Sequence, residues 1–309
     1  MLTRRFLIAA AAAVMFPTAP IPLVQAQEQQ ATLPVVATFS ILGDIVGNVG
    51  GDRVAVKSLV GPNGDAHVYS PSPADAKTLA DAKVIVTNGL GFEGWLARLI
   101  KSSNTKAPNI VAAKGVKPRK LAGKHSHGHA HGHADGDPHA WQSVANVKIY
   151  VANIRDGLIK ADPAGKAAYE ANAAAYLAKL DALESEVKQA VSNIPPERRK
   201  IITTHDAFGY FKDAYGVDFI APQGVSTDSE ASARDVARII TQVRKQKIPA
   251  VFMENISDAR LLTRIASETG ARVGGTLYSD ALTAENGPPP TSIDHLRPNL
   301  GTLCAALQR

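Results

Sequence analysis

Cysteine is almost absent. The 309 residues contain one, Cys304, so no disulfide can form within the molecule and stability must come from packing in any redox compartment. That thiol reads as a single buried group. Aromatics make up only 6% of the chain, and no Lys/Arg stripe interleaved with aromatics occurs, which argues against a nucleic-acid partner. The formal net charge of +6 is spread as Lys and Arg mixed with Asp and Glu along helix-like segments. Long apolar runs are missing as well. The unbroken stretch Phe6–Phe16 falls short of the ~20 residues of a membrane span, and no later segment is apolar enough. There is no His-Glu-x-x-His segment, which removes the usual signature of a zinc hydrolase.

What is present begins with a leader. Arg4 and Arg5 precede the apolar stretch, and Val24-Gln25-Ala26 fits a small-x-small cleavage site, so residues 1–26 read as a signal peptide and Gln27 as the mature N-terminus. The Arg pair followed by Phe6-Leu7-Ile8 equally permits twin-arginine export. With no Cys near Ala26, the expectation is a periplasmic protein without a lipid anchor. The mature chain is long enough for two domains of ordinary size.

Short apolar runs then alternate with helical patterns. Pro34–Phe39, Val54–Val60, Ala82–Thr87 and Asn109–Ala112 read as strands, with a helix near Phe92–Lys101. A second series follows: strands Lys200–Thr204, Val217–Ala221, Ala250–Met253 and Ala271–Leu277, with helices Ala207–Tyr215, Ala233–Gln246, Asp258–Thr269 and Ile293–Leu307. Between the series lie two helices, Ala145–Lys160 and Pro163–Val191. For the second, Asp162 is the expected N-cap, Pro163 the first helical residue, and Pro195-Pro196 the stop. The predicted fold class is α/β: two lobes, each a mainly parallel sheet flanked by helices, joined by one long rigid helix. The expected boundaries are 27–162 for the N-terminal lobe, 163–194 for the linking helix and 195–309 for the C-terminal lobe. Pro118–Asp137, all Gly, His, Lys and Asp with little to bury, reads as a mobile loop, with a His-rich core over 121–137.

Nine His are present, five of them in that loop. Of the others, His67 follows the second strand, His139 sits where the loop rejoins the fold, and His205 directly follows Lys200–Thr204. Asp280 follows the strand ending at Leu277. Ligands of parallel sheets gather at strand carboxyl ends, so a cleft between the lobes could receive all four. Three neutral imidazoles and a carboxylate suit a closed, four-coordinate zinc site. Spacing alone does not decide this, because any one of these His could equally be a core or loop residue. His295 reads as structural or exposed. Asp65, Asp206 and Glu230 are candidate carboxylate partners for ligating imidazoles.

The surrounding segments carry a resemblance. Gly61-Pro62-Asn63-Gly64-Asp65-Ala66-His67-Val68-Tyr69-Ser70-Pro71-Ser72-Pro73, Asn88-Gly89-Leu90-Gly91-Phe92-Glu93, Asp137-Pro138-His139-Ala140-Trp141, Thr204-His205-Asp206-Ala207-Phe208-Gly209-Tyr210-Phe211, Gly224-Val225-Ser226-Thr227 and Leu277-Tyr278-Ser279-Asp280-Ala281-Leu282 resemble, in order, segments of the zinc- and manganese-binding receptors of ABC importers. The resemblance runs through nearly the whole mature chain. It implies His67, His139, His205 and Asp280 as metal ligands, modest motion on binding, and no enzymatic activity. It also implies delivery to an importer permease in the inner membrane, with a periplasmic metallochaperone as a further partner and a monomeric state. The three-His, one-Asp set is similar to that of AztC- and ZnuA-type zinc receptors. Family members with Glu at the third position tend to bind manganese, so His205 leans the expectation toward Zn(II), with Mn(II) as the alternative. Many zinc receptors of the family with a His-rich loop also carry a disulfide in the second lobe, which this chain cannot form.

The His-rich segment alternates His125, His127, His129, His131 and His133 with small residues. Neutral imidazoles at this spacing are available to metal at pH 7, as an auxiliary collector or as incidental sites. A zinc hydrolase, or an adhesin or metallochaperone on the same scaffold, are the competing readings.

Overall fold

The computed structural model describes residues 32–120, 136–284 and 291–308, with backbone only at 292–295. The leader 1–26 and the imidazoles of His125, His127, His129, His131 and His133 lie outside the described residues, as does the side chain of His295.

Strand β1 (Leu33–Phe39) is buried over its last five residues and runs straight into α1 (Ser40–Gly50). Helix α1 buries Ile41, Leu42, Ile45, Val46 and Val49 against the sheet. It lies so close to β2 (Val54–Val60) that a Cβ at Gly43 would collide with the Ser58 side chain. After β2 come α2 (Pro73–Asp81), β3 (Val84–Thr87), α3 (Leu96–Ser103) and β4 (Asn109–Val111). Helix α2 has no strong apolar period and was not expected. Its start is nonetheless written in the sequence as a capping box: the Ser72 side chain accepts from the Asp75 N–H, and Asp75 returns the bond to Ser72, with Pro73 at the first position.

Two helices separate the sheets. In α4 (Val144–Ala161), one face from Val147 to Leu158 is buried. Helix α5 (Lys166–Ser192) is 27 residues and therefore about 40 Å long. It starts later than expected. Pro163–Gly165 forms a single 3₁₀ turn, and Asp162 does not cap it with its side chain. That carboxylate instead accepts from Arg53 Nε at 3.0 Å and from the Tyr169 hydroxyl at 2.7 Å. A charge-assisted pair with a guanidinium outcompetes a cap for the same oxygen.

The second series comprises β5 (Lys200–Ile202), α6 (Gly209–Tyr215), β6 (Asp218–Ile220), α7 (Ala233–Gln246), β7 (Ala250–Glu254), α8 (Arg260–Thr269), β8 (Arg272–Leu277) and α9 (Ser292–Leu307). Both sheets are four-stranded and wholly parallel. Their orders are β2-β1-β3-β4 and β6-β5-β7-β8, so the two halves repeat one topology. In each, the connections reverse direction between the first and third strands. That is the switch point at whose carboxyl ends a crevice opens.

Tyr169, Ala173, Tyr176, Leu180, Leu183, Val187 and Val191 form one buried stripe on α5. A single core runs from Val35 to Leu307 across both halves along this stripe. Each such apolar side chain removed from water contributes about 1.5–3 kcal/mol. A smaller, separate core (Ile202, Val236, Ile239, Ile240, Val243, Val251, Leu262 and Ile265 among its members) lies under α7 and α8. No helix among the described residues is long and apolar enough to cross a membrane.

The segment expected to be mobile from Pro118 to Asp137 is pinned at both ends. Lys120 bridges Gly136, and the Asp137 N–H donates to Arg119 O at 3.0 Å. Tyr210 of α6 accepts the Arg119 N–H at 3.0 Å.

Candidate metal centre

The carboxyl ends of both sheets converge on four side chains. His67, His139, His205 and Asp280 each offer a ligand atom, and these atoms all lie within 4.8 Å of one another. Nε2 of His67 is 3.2 Å from Nε2 of His139 and 3.2 Å from Oδ2 of Asp280. Nε2 of His205 is 3.2 Å from that same oxygen, and Nε2 of His139 is 3.6 Å from Oδ1. The side chains of His139, His205 and Asp280 are fully buried, and that of His67 is 4% exposed. His205 Nε2 and both Asp280 oxygens have no hydrogen-bond partner. Buried polar atoms are nearly always paired, so such a group of orphans needs an explanation.

Each ligand is held differently. His67 lies on the turn after β2, where its N–H donates to Asp65 Oδ1 at 2.9 Å. Trp95 Nε1 donates to Ala66 O at 2.8 Å, and the imidazole packs edge-on to Phe92. His139 is fixed by Asp137, whose Oδ1 takes the His139 N–H at 3.0 Å and lies 2.8 Å from Nδ1. Asn88 adds a bond to Pro138 O at 2.9 Å, and Arg119 Nη1 lies 3.3 Å from the other Asp137 oxygen. His205 leaves the end of β5, and Glu254 at the end of β7 accepts the N–H of Thr204 and of His205 at 2.8 and 3.0 Å.

Asp280 follows β8, yet its segment is secured by the other lobe. Trp141 Nε1 and Gln142 Nε2 both donate to Ser279 O, at 2.9 and 2.6 Å. Ser40 Oγ accepts the Leu282 N–H at 3.0 Å, and the Asn63 N–H donates to Leu282 O at 2.8 Å.

Charge follows this geometry. Burial pushes the Asp280 carboxyl up, but the His205 and His139 imidazoles outweigh it and hold the carboxyl well below the usual range. Burial pulls His139 down, but the charges of Asp280 and Asp137 raise it to about 9. His205 likewise rises well above its ordinary value despite burial, driven by Glu254 and Asp280. His67 moves the other way: burial lowers it, and the pull of Asp280 does not compensate.

The carboxylates against imidazole nitrogens differ from those expected. Asp65 bonds the His67 backbone and reaches Thr227 Oγ1 at 2.5 Å across the lobes. Asp206 gives its N–H to Gly224 O, and Glu230 stands exposed at a cavity of about 630 Å³ that also touches Asp65 and Thr204. Asp137 and Glu254 occupy the imidazole-facing role instead. Glu254 had a legible signal, a lone acid closing the buried strand Ala250–Met253 at a switch point.

Two parallel lobes hung on one helix, converging on a buried cluster of three imidazoles and a carboxylate, define a metal-binding receptor. The chain belongs to the family described as ZnuA, the periplasmic component A of a zinc-uptake complex, which matches residues 35–306. Receptors of this family work with an ABC permease and its ATPase. Among its relatives, the manganese-binding lipoprotein MntA of Halalkalibacterium halodurans is 36% identical over 279 residues, spanning 90% of this chain and 89% of MntA. The periplasmic zinc-binding protein TroA of Treponema pallidum superimposes with a TM-score of 0.83 at 29% identity, covering 90% of this chain and all of TroA. A point variant of a manganese-bound periplasmic metal-binding protein from candidatus Liberibacter asiaticus does so with a TM-score of 0.79 at 32% identity, covering 89% of this chain and all of that one.

These relatives correct one expectation. An unanchored exported protein was inferred from the missing Cys near Ala26, but MntA and several streptococcal relatives are lipoproteins by name. A tether belongs to the leader, outside the fold that the relatives share. The unanchored reading is therefore withdrawn.

Proposed function

We propose that the chain captures Zn(II) between its lobes through His67, His139, His205 and Asp280 and presents it to the importer. The observation that carries this reading is the spacing of the donor atoms. Donors at the corners of a zinc tetrahedron, with bonds of ~2.0–2.1 Å, stand about 3.3–3.4 Å apart; four of the separations here run from 3.2 to 3.6 Å, and the whole set lies within 4.8 Å. Three nitrogen donors against one carboxylate favour zinc over manganese. A four-ligand set leaves no open position for hydrolytic chemistry.

One observation favours a second reading, manganese or mixed use. Both oxygens of Asp280 face the imidazoles. A bidentate carboxylate would raise the coordination number, which suits a harder ion. MntA is named for manganese.

The His-rich segment fits a weaker collecting role, and supply by a metallochaperone to a monomeric receptor completes the proposal. Competitive titration of the metal-free protein with Zn(II) and Mn(II) tests it. One tight site preferring zinc is expected. His205→Ala should weaken that site by more than the 10–100-fold typical of losing an outer partner. Deleting residues 124–135 should remove only weak sites. Unchanged tight binding in His205→Ala refutes the ligand set.

A further inference from the structure

The three imidazoles are not equivalent. Nδ1 of His139 faces Asp137 and Nδ1 of His205 faces Glu254, whereas the only carboxylate described near His67 outside the cluster, Asp65, is spent on its backbone and on Thr227. Of the two acids, Glu254 is the one fixed by a strand end. It is 2% exposed, it ends β7, and β7 pairs with β5 immediately before His205. Its Oε1 accepts two backbone N–H groups, from Thr204 and His205. Its Oε2 makes an ion-pair approach of 2.5 Å to His205 Nδ1, and neither atom is hydrogen-bonded to any other group.

From this geometry we infer that Glu254 is a positioning residue: it keeps the His205 proton on Nδ1, so that Nε2 presents its lone pair to the ion. The inference rests on the proposed ligand set. A neutral imidazole carries one N–H, and the group opposite one nitrogen decides which. Opposite Nδ1, at 2.5 Å, stands a buried carboxylate oxygen that can only accept, nearer than the Asp280 oxygen 3.2 Å from Nε2, which is itself a proposed donor to the ion. The proton on Nδ1 is thereby retained, and any proton displaced by the ion leaves from Nε2. The carboxylate also strengthens the nitrogen donor, in a site where nitrogen is what distinguishes zinc from harder ions.

The two backbone bonds make the role separable from mere support. Glu254→Gln must keep its carbonyl oxygen on the Thr204 and His205 N–H groups, because its NH₂ would leave both unpaired. The NH₂ then falls opposite Nδ1, which must accept, and the imidazole proton is driven to Nε2. The loop stays held while the tautomer reverses. Glu254→Ala does the opposite, releasing the loop and imposing no tautomer.

The experiment combines zinc affinity, by chelator competition, with imidazole ¹⁵N spectra of full-length protein, wild type, Glu254→Gln and Glu254→Ala. In the zinc-loaded wild type, His205 should show a protonated Nδ1 and a metal-bound Nε2. Glu254→Gln should lose about 10–100-fold in zinc affinity with its thermal transition unchanged, and in metal-free protein with the imidazole neutral its His205 proton should sit on Nε2. Zinc binding by Glu254→Gln within twofold of wild type overturns the inference and leaves only loop support. If that variant does not fold, the wild-type spectrum still decides: a bare Nδ1, or zinc on Nδ1, overturns it. A wild type that binds no ion tightly defeats the proposed function instead, and the position of the single proton on the neutral His205 imidazole then stands as the separate readout.

Discussion

Capture of an ion should release two protons near neutral pH. In the metal-free protein His139 holds its proton up to about 9, and His205 is raised well above its ordinary value. Asp280 is held ionised and His67 is biased toward its neutral form, since their shifts run in the opposite directions. Both raised imidazoles must lose the Nε2 proton to bind metal. Each proton displaced costs about tenfold in affinity per unit of falling pH, so two cost about 100-fold per unit wherever both imidazoles are protonated. Isothermal titration in two buffers of different ionisation enthalpy counts the protons directly, and chelator competition at pH 6, 7 and 8 gives the slope. Asp137→Asn removes one of the charges that raise His139 and should bring the count toward one. A release near zero, with affinity flat between pH 6 and 8, would mean that both imidazoles are neutral beside Asp280, and the charge argument would fail.

Two further predictions concern the scaffold. Leu183 sits fully buried on the α5 stripe, so Leu183→Ala should cost about 2–5 kcal/mol in urea unfolding of the metal-free protein; a loss below 1 kcal/mol would show that α5 is not packed as described. Because α7 and α8 rest on their own small core, amides of Val236–Val243 and Leu262–Ala266 should exchange faster than those of Val147–Leu158 and Leu180–Val191. Uniform protection across these helices would contradict a separate unit.

The sequence exposed the architecture wherever periodicity was strong. The strand β1 and the helices α5 and α7 fall within a few residues of expectation, because buried parallel strands are continuous apolar runs and α5 repeats its apolar residues at helical spacing. It exposed less where side chains choose among partners. Asp162 was legible as a cap only so long as Arg53, distant in sequence, and Tyr169, two turns on, were ignored. Helix α2 was hidden by a weak apolar period even though its capping box was in plain view. At the site, the residue types and strand ends pointed to His67, His139, His205 and Asp280. The acids facing the imidazoles did not follow from proximity in sequence: Asp65 and Asp206 flank ligands yet turn elsewhere, and Glu254 reaches His205 only because β7 lies beside β5.

The segment Ser279–Leu282 has a mechanical consequence. Asp280 belongs to the C-terminal half, whose Asn255 also donates to Ala281 O at 3.1 Å, yet its segment is aimed by hydrogen bonds with Ser40, Asn63, Trp141 and Gln142 of the N-terminal half. Its carboxylate therefore works as a gauge of registration between the halves. Metal–ligand distances tolerate deviations of only about 0.2 Å, a finer tolerance than the hydrogen bonds that aim it. For an ion held as proposed, a slight misalignment that leaves every one of those bonds intact would already spoil the coordination sphere, so a partner that shifts one half against the other need not break anything to loosen it.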